Sequence, residues 1–328
     1  MSRAALIRSQ LGIQTTPDTP VAATVQLPGL LTMRHAPERV LREEYRASWG
    51  GSNVHDDLKL ESTGQYVGRC TASTLIYWLS AAMRGNPTVS GSGPYTWVLN
   101  QPLTGAIPDL KSLTAYWGND TAGGGGGALR APGVVATRIV IEGSDTAAWT
   151  IRVELLGMGA ISGTFASLST ITNETIKNLL SSVYVASSWG ALDALTNPLT
   201  EALLCFAYGF TWTWDSGITN DFAMNGSLNR CAINRGIPSV TLQLRAKWNA
   251  DGAAQAVHTI NGTRRFIRLE NVGTANSTIK IAGAYDPMTY DTITDQRDGT
   301  IRSTWDLVGV EDTARKTEVT VINNVSAL

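Results

Sequence analysis

Charge, histidine and cysteine are all scarce in this chain. Asp, Glu, Lys and Arg make up 16% of its 328 residues, against roughly a quarter in an ordinary soluble domain. The 26 basic and 27 acidic side chains leave a formal charge of −1. That balance excludes a protein built to work by long-range attraction to nucleic acid or a membrane surface, and leaves room only for a local basic patch. The histidines, His35, His55 and His258, stand in no HxxxH, HExxH or CxxC company, so none has zinc-ligand spacing. His55-Asp56-Asp57 reads as an exposed polar turn. Cys70, Cys205 and Cys231 form no close pair, and an odd number cannot all pair within one chain; they read as buried thiols. No apolar run reaches the roughly 20 residues of a membrane span. The most apolar stretch, Leu199 to Trp214, is broken by Thr200, Glu201, Gly209, Thr211 and Thr213. Met1 to Leu6 lack the apolar core and cleavage site of a secretory signal, so export by that route is not expected.

Catalytic groupings are missing too. The run Gly123 to Gly127, followed by Ala128-Leu129-Arg130, lacks the Lys-Ser/Thr ending and preceding apolar strand of a phosphate cradle, and reads as a loop. Glu43, Glu44, Asp56, Asp57, Asp215 and Asp221 are the carboxylates from which a hydrolytic pair would have to come, and their default reading is solvated charge. Gly91-Ser92-Gly93 and Trp49-Gly50-Gly51-Ser52 do not match a nucleophile elbow and read as turns. Arg264-Arg265-Phe266-Ile267-Arg268 mixes basic and aromatic residues, but alternation puts Arg268 with Glu270 on a solvated strand face. Trp212-Thr213-Trp214 is better suited to a core than to stacking on a sugar or a base. No catalytic residue, cofactor site or metal site is assigned, and the chain reads as a non-enzyme.

What is present is a β protein. At 35.0 kDa and 43% hydrophobic the chain has enough apolar surface for a large core. Its 32 glycines and abundant Ser and Thr suit strands joined by many turns. Trp149 to Leu155 and Ser239 to Trp248 alternate apolar with polar residues, the signature of half-buried strands. From Leu204 to Trp214 a bulky face alternates with a small one (Cys205, Ala207, Gly209, Thr211, Thr213) that suits close approach of another sheet or subunit. Further strands are expected at Arg265 to Glu270, Thr278 to Ala282, Ile301 to Val310 and Glu318 to Ile322. Leu75, Trp78, Leu79, Ala82 and Met83 recur at helical spacing and place a helix over Thr71 to Arg84. A second helix, Gly252 to Ile260, is expected to start at Asp251 as N-cap and to bury Ala253, Ala256, Val257 and Ile260.

Each half therefore runs as strands, one helix and more strands, with a short helical or loop segment near Thr172 to Leu180 between them, which points to a duplicated unit. The domains expected are 1–165, opening with an N-terminal arm over the Pro-punctuated segment Gln10 to Pro37, and 166–328, closing with an arm over Lys316 to Leu328 that could add a strand to a neighbour. The low charge content suits a monomer surface partly covered by other subunits.

In element order, and in several segments, the chain resembles the major tail tube proteins of long-tailed bacteriophages. The segments are Tyr95-Thr96-Trp97, Leu113 to Tyr116 with Trp117 to Asp120, Gly133-Val134-Val135, Trp149 to Gly157, Phe206 to Trp214, Asn225 to Leu228 and Val240 to Trp248. The resemblance implies two tandem tail-tube-like β-sandwich or barrel domains, each flanked by one helix. It also implies a structural virion role: a pseudo-sixfold homotrimeric ring, stacked into a hollow tube through which DNA passes during genome ejection. The partners implied are further copies of the chain, a tape-measure protein and double-stranded DNA in the lumen, and other tail proteins at the tube ends. No membrane insertion of its own is implied, and assembly would take place in the host cytoplasm. Two other readings compete: a carbohydrate-binding or carbohydrate-active β-sandwich, suggested by ten Trp and nine Tyr, and another tail component, a terminator or baseplate protein.

Overall fold

The computed structural model describes residues 7–44, 52–83, 87–100, 111–119, 127–171, 176–177, 180–197, 207–224, 227–273, 277–297, 300–312 and 315–328. The first half carries β1 (Ile7–Ile13), β2 (Val25–Gln26), β3 (Leu30–Glu44), β4 (Ser52–Arg69), α1 (Ala72–Ser80), β5 (Thr88–Ser90), β6 (Tyr95–Asn100), β7 (Leu113–Asn119), β8 (Ala128–Ser144), β9 (Ala147–Met158) and β10 (Ile161–Gly163). The second carries β11 (Ser181–Ala186), α2 (Trp189–Ala194), β12 (Ala207–Asp215), β13 (Ile218–Asp221), β14 (Ala232–Arg235), β15 (Ser239–Lys247), α3 (Ala250–Ile260), β16 (Arg265–Val272), β17 (Thr278–Arg297), β18 (Thr300–Gly309) and β19 (Thr317–Asn323). The fold is mainly β, as expected, and its ladders are antiparallel. The expected strands form: Trp149 to Leu155 lies within β9 and Ser239 to Lys247 is β15. Leu204, Cys205 and Phe206 lie outside the described residues.

A central sheet runs β3-β4-β9-β8-β12-β15-β18-β17. One face is apolar and buried, because period-two alternation sends Ile139, Ile151, Val153, Trp212, Trp214, Leu242 and Trp305 to the same side. These residues belong to one core cluster that runs through both halves. Two strands bend out of this sheet. The first part of β8 pairs with β7 and β10, and the rest pairs with β9 and β12. The start of β17 pairs with β16 and β19, and the remainder with β18. At the β8 bend Gly133 has φ 63°, a left-handed conformation that glycine adopts without a Cβ clash.

The pairing scheme occurs twice. In the first half β1 pairs β7, β7 pairs β8, β8 pairs β10 and β9, β9 pairs β4 and β4 pairs β3. In the second, β11 pairs β16, β16 pairs β17, β17 pairs β19 and β18, β18 pairs β15 and β15 pairs β12. Two helices follow the same strand of their sets, α1 after β4 and α3 after β15; the expectation of one helix per half is corrected by α2, which follows β11 in the second half alone. A matched backbone bond fixes the correspondence: Cys70 N donates to Trp149 O at 2.8 Å, and Trp248 N to Ile301 O at 3.0 Å. Thr71 and Asn249, each one residue further on, are the two N-caps. The expected boundary at 165 falls between β10 and β11.

Both expected arms are corrected. Gln10 to Pro37 contributes β1, β2 and part of β3, with Leu11, Leu27 and Leu31 buried, because apolar residues between the prolines still alternate. Glu318 to Ile322 lies in β19, paired on both sides by β17 and β6 of the same chain. Val319 and Val321 are fully buried there, Asn323 donates to Ala72 O at 2.9 Å, and Trp97 donates to Val325 O at 2.9 Å.

The helices differ in cover. α1 is shorter than expected, and Arg84 lies outside the described residues. Its N-cap Thr71 accepts from Thr74 N at 3.2 Å. β8, β6 and β19 surround it, so Leu75, Trp78 and Leu79 are fully buried and even Thr74 and Ser80 are enclosed. The cap of α3 is Asn249, whose side chain accepts from Gly252 N at 2.9 Å; Asp251 sits in the first turn instead. α3 rests on β17 through Gly252 and Gln255, while Val257 and Ile260 are 53% and 83% exposed. The expected burial of its apolar stripe is therefore reversed within one subunit. Cys70 is buried as expected, but Cys231 is exposed.

Leu79→Ala should lower unfolding free energy by about 2–5 kcal/mol in urea titrations, because the site is enclosed on every side. Removing Lys316 to Leu328 should abolish a cooperative transition altogether, since it takes away a central strand rather than a free tail.

Candidate assembly edges

Strand edges are the most distinctive surface features. Within the central sheet, β8 and β12 join the two halves from Gly209↔Ser144 to Asp215↔Arg138. This junction satisfies the backbone groups of both strands. The outermost strands of the same sheet have no such neighbour among the described residues: β3 has a ladder only with β4, and β17 beyond Tyr285 only with β18. Long unpaired edges are templates for adding another chain.

The sheet face opposite the core is polar. Its rows run across both halves, for example Thr32-Gln65-Glu154-Arg138-Asp215 and Glu142-Thr211-Gln243-Asp306-Thr289. Arg138 approaches Glu154 at 3.7 Å, and the Asp306 carboxylate accepts from the neutral donors Gln243 at 2.8 Å and Thr289 at 2.7 Å. In these two rows the face is Thr/Gln-rich and holds Glu154, Asp215, Glu142 and Asp306 against the single cation Arg138.

A second feature ties the halves together. Arg230, between β14 and the preceding loop, has a fully buried side chain. It donates to Gly133 O at 2.5 Å, to Asn220 Oδ1 at 2.9 Å and to the Asp18 carboxylate. The charge is paired and its planar fork is used in several directions, which is how a buried guanidinium is tolerated. Beside it the β3–β4 hairpin continues past the sheet as a two-stranded ribbon, since β9 reaches only as far as Glu61. Arg39–Asp57 at 2.6 Å and Lys59–Glu38 at 2.8 Å lace this ribbon, and Val40 and Leu58 are exposed on it.

The candidate catalytic residues do not assemble. Asp215 accepts from Gly217 N at 2.9 Å in a turn, and Asp221 is exposed in β13. His258 lies on α3, where partial burial and then the charge of Arg265 hold its imidazole below the usual range. The three lie apart on a turn, a strand and a helix, and no group of three His, Cys, Asp or Glu is placed to hold a metal among the described residues. Asp57 is engaged with Arg39; the side chains of Glu43, Glu44 and His55 and residues 123–126 of the glycine run lie outside the described residues, and Ala128 to Arg130 open β8. Trp212 and Trp214 are fully buried, as expected.

The Arg268–Glu270 face needs correction: it is covered, not solvated. α2 lies over β16, and Arg268 donates to Leu192 O at 3.0 Å and to Leu195 O while its guanidinium stacks 4.3 Å from the Tyr184 ring centroid. Glu270 is paired with Arg268 at 3.0 Å and Lys280 at 2.8 Å. The sequence signal for α2 is slight, an N-cap Ser188 followed by Trp189 and Leu192, because six residues are too few for a periodic pattern.

Neither the protein-family models nor the curated proteins include a match to this chain. Among the described residues, no helix is long and apolar enough to cross a membrane.

Glu270→Gln should destabilise the fold by about 3–5 kcal/mol, because it leaves the enclosed Arg268 without its counter-charge. Equilibrium denaturation checks this, and Glu154→Gln on the exposed face should change stability by less than about 1 kcal/mol in the same assay.

Proposed function

We propose that this chain is a tail tube protein: a structural virion subunit that closes into trimeric, pseudo-sixfold rings and stacks into a hollow tube for DNA. The observation that carries this reading is the doubled pairing scheme. Two four-strand units, β3-β4-β9-β8 and β12-β15-β18-β17, lie side by side in one sheet and are joined through β8 and β12. Their outer edges, β3 and β17, are of the same two kinds. A further copy can repeat the junction, and repetition about an axis closes a ring with no edge left over. The number of copies, three, comes from the family resemblance.

Two other features support it. α1 is enclosed by β6 of its own half and β19 of the second half, whereas its counterpart α3 exposes Val257 and Ile260. In a ring the next subunit's first half would stand where β19 stands over α1, and its exposed Ile161 on β10, the counterpart of β19, supplies apolar surface there. The polar sheet face fits a lumen. Each phosphate held by a cation gains counterion-release free energy, so rows that carry more carboxylates than cations let DNA slide rather than stick. Roughly 16–18 strands already enclose an aqueous channel, and three eight-strand sheets exceed that.

The carbohydrate reading loses its motive, since Trp78, Trp149, Trp212, Trp214 and Trp305 are all fully buried. With the terminal segments used inside the subunit, contact between stacked rings falls to the β3–β4 ribbon. Electron microscopy of the concentrated protein should reveal rings or tubes, and native mass spectrometry should give multiples of three chains; dispersed monomers at all concentrations would refute the proposal. Replacing residues 41–55 by a short turn should leave rings and suppress tubes. Copy number per particle separates a tube protein from a terminator or baseplate component.

A further inference from the structure

Resting on the ring reading, the internal junction also gives the register of the external one. Gln65 and Gln243 stand at matching positions, six residues before the N-caps Thr71 and Asn249. Each lies opposite a carboxylate, Gln65 opposite Glu154 and Gln243 opposite Asp306. Continuing along those rows, Thr32 matches Thr211, because they pair with Gln65 and Gln243. One step of two residues further, Arg34 matches Thr213, since Arg34 pairs with Thr63 and Thr213 with Thr241. On the other side, Arg138 matches Thr289, which pair with Glu154 and Asp306. Val140 then matches Asp291, which pair with Arg152 and Thr304.

At the internal junction Thr213 stands opposite Val140. We infer that at the external junction Arg34 of one subunit stands opposite Asp291 of the next, forming a cross-strand ion pair on the polar face. Both side chains are exposed, and neither has an ion-pair partner within its own subunit among the described residues. Their charges are opposite, whereas the internal positions they match are uncharged. The residues next to them on the core side follow the same logic. Trp214 opposite Ile139 is wholly apolar inside the chain. The matching external pair is His35 with Tyr290, half-buried groups whose polar atoms are already satisfied within the subunit, His35 Nδ1 by Ala160 N at 3.1 Å and the Tyr290 hydroxyl by Ser303 at 2.9 Å. An unlike-charge pair at an edge strand favours one register and repels the same edge presented by a second copy.

The test uses the full chain with Cys231→Ser, which removes the exposed thiol among the described residues, and Cys205→Ser, since that residue lies outside them. Arg34→Cys combined with Asp291→Cys should give SDS-resistant covalent oligomers up to the ring on air oxidation. Directly opposed cross-strand residues lie within disulfide range, whereas positions two residues off do not, so Thr32→Cys with Asp291→Cys should cross-link at least about fivefold less. In parallel, Arg34→Glu alone should reduce ring yield and Arg34→Glu with Asp291→Lys should restore it. Rings that form but cross-link better through position 32, or charge reversals that neither reduce nor restore ring yield, would overturn the register while leaving the ring reading intact. An unmodified protein that never forms rings would overturn the ring reading itself, and the register with it.

Discussion

Backbone donors and acceptors along a strand edge must find partners, and in this chain that requirement organises the whole molecule. The β8–β12 ladder meets it between the halves, so the two units form one sheet with one core rather than two separable beads. On the ring reading, half of the junctions close while the subunit folds, at the effective concentration set by the chain itself. Only the remaining half depends on encounter between molecules, which lowers the order of the assembly reaction.

The bends in β8 and β17 answer the same requirement. A strand that leaves one sheet for another must change direction at a defined residue, or the register on both sides slips. In β8 this residue is Gly133, where a side chain would run into Asp18 and Arg230. Arg230 therefore marks both ends of a contact between the halves: the loop that carries it belongs to the second unit, and the carbonyl it grips belongs to the first. At the bend of β17 the buried cation is Lys316, whose Nζ donates to Pro238 O at 3.1 Å while its carbonyl accepts from Ala284 N.

The β character, the main strands and α1 were legible because each has a period that burial enforces along its own sequence. Duplication was legible in element order though not in residue identity, since pairing topology depends on which face is apolar and not on which apolar residue supplies it. The arms were misread because proline density was given more weight than the alternation around it; Val319 and Val321 carry a core signal that only a partner on each side makes visible. α3 was misread in the opposite sense. Its apolar stripe is real, but the surface that would cover it is absent from the subunit, and a lone sequence does not say whether the cover is internal. Arg268 and Glu270 failed for a third reason: a six-residue helix too short to leave a pattern converts an outer face into an inner one.

The β5–β6 hairpin is present in one unit alone. It lies between α1 and β7, while its counterpart position, between α3 and β16, is only four residues long. The strand it caps, β19, belongs to the other unit. On the ring reading, a hexagon assembled from such subunits would have corners of two kinds in alternation, a triangle wearing a hexagonal outline. Whatever docks on its rim meets sites one third of a turn apart, and a partner of true sixfold symmetry would have to ignore this hairpin or be offset by it.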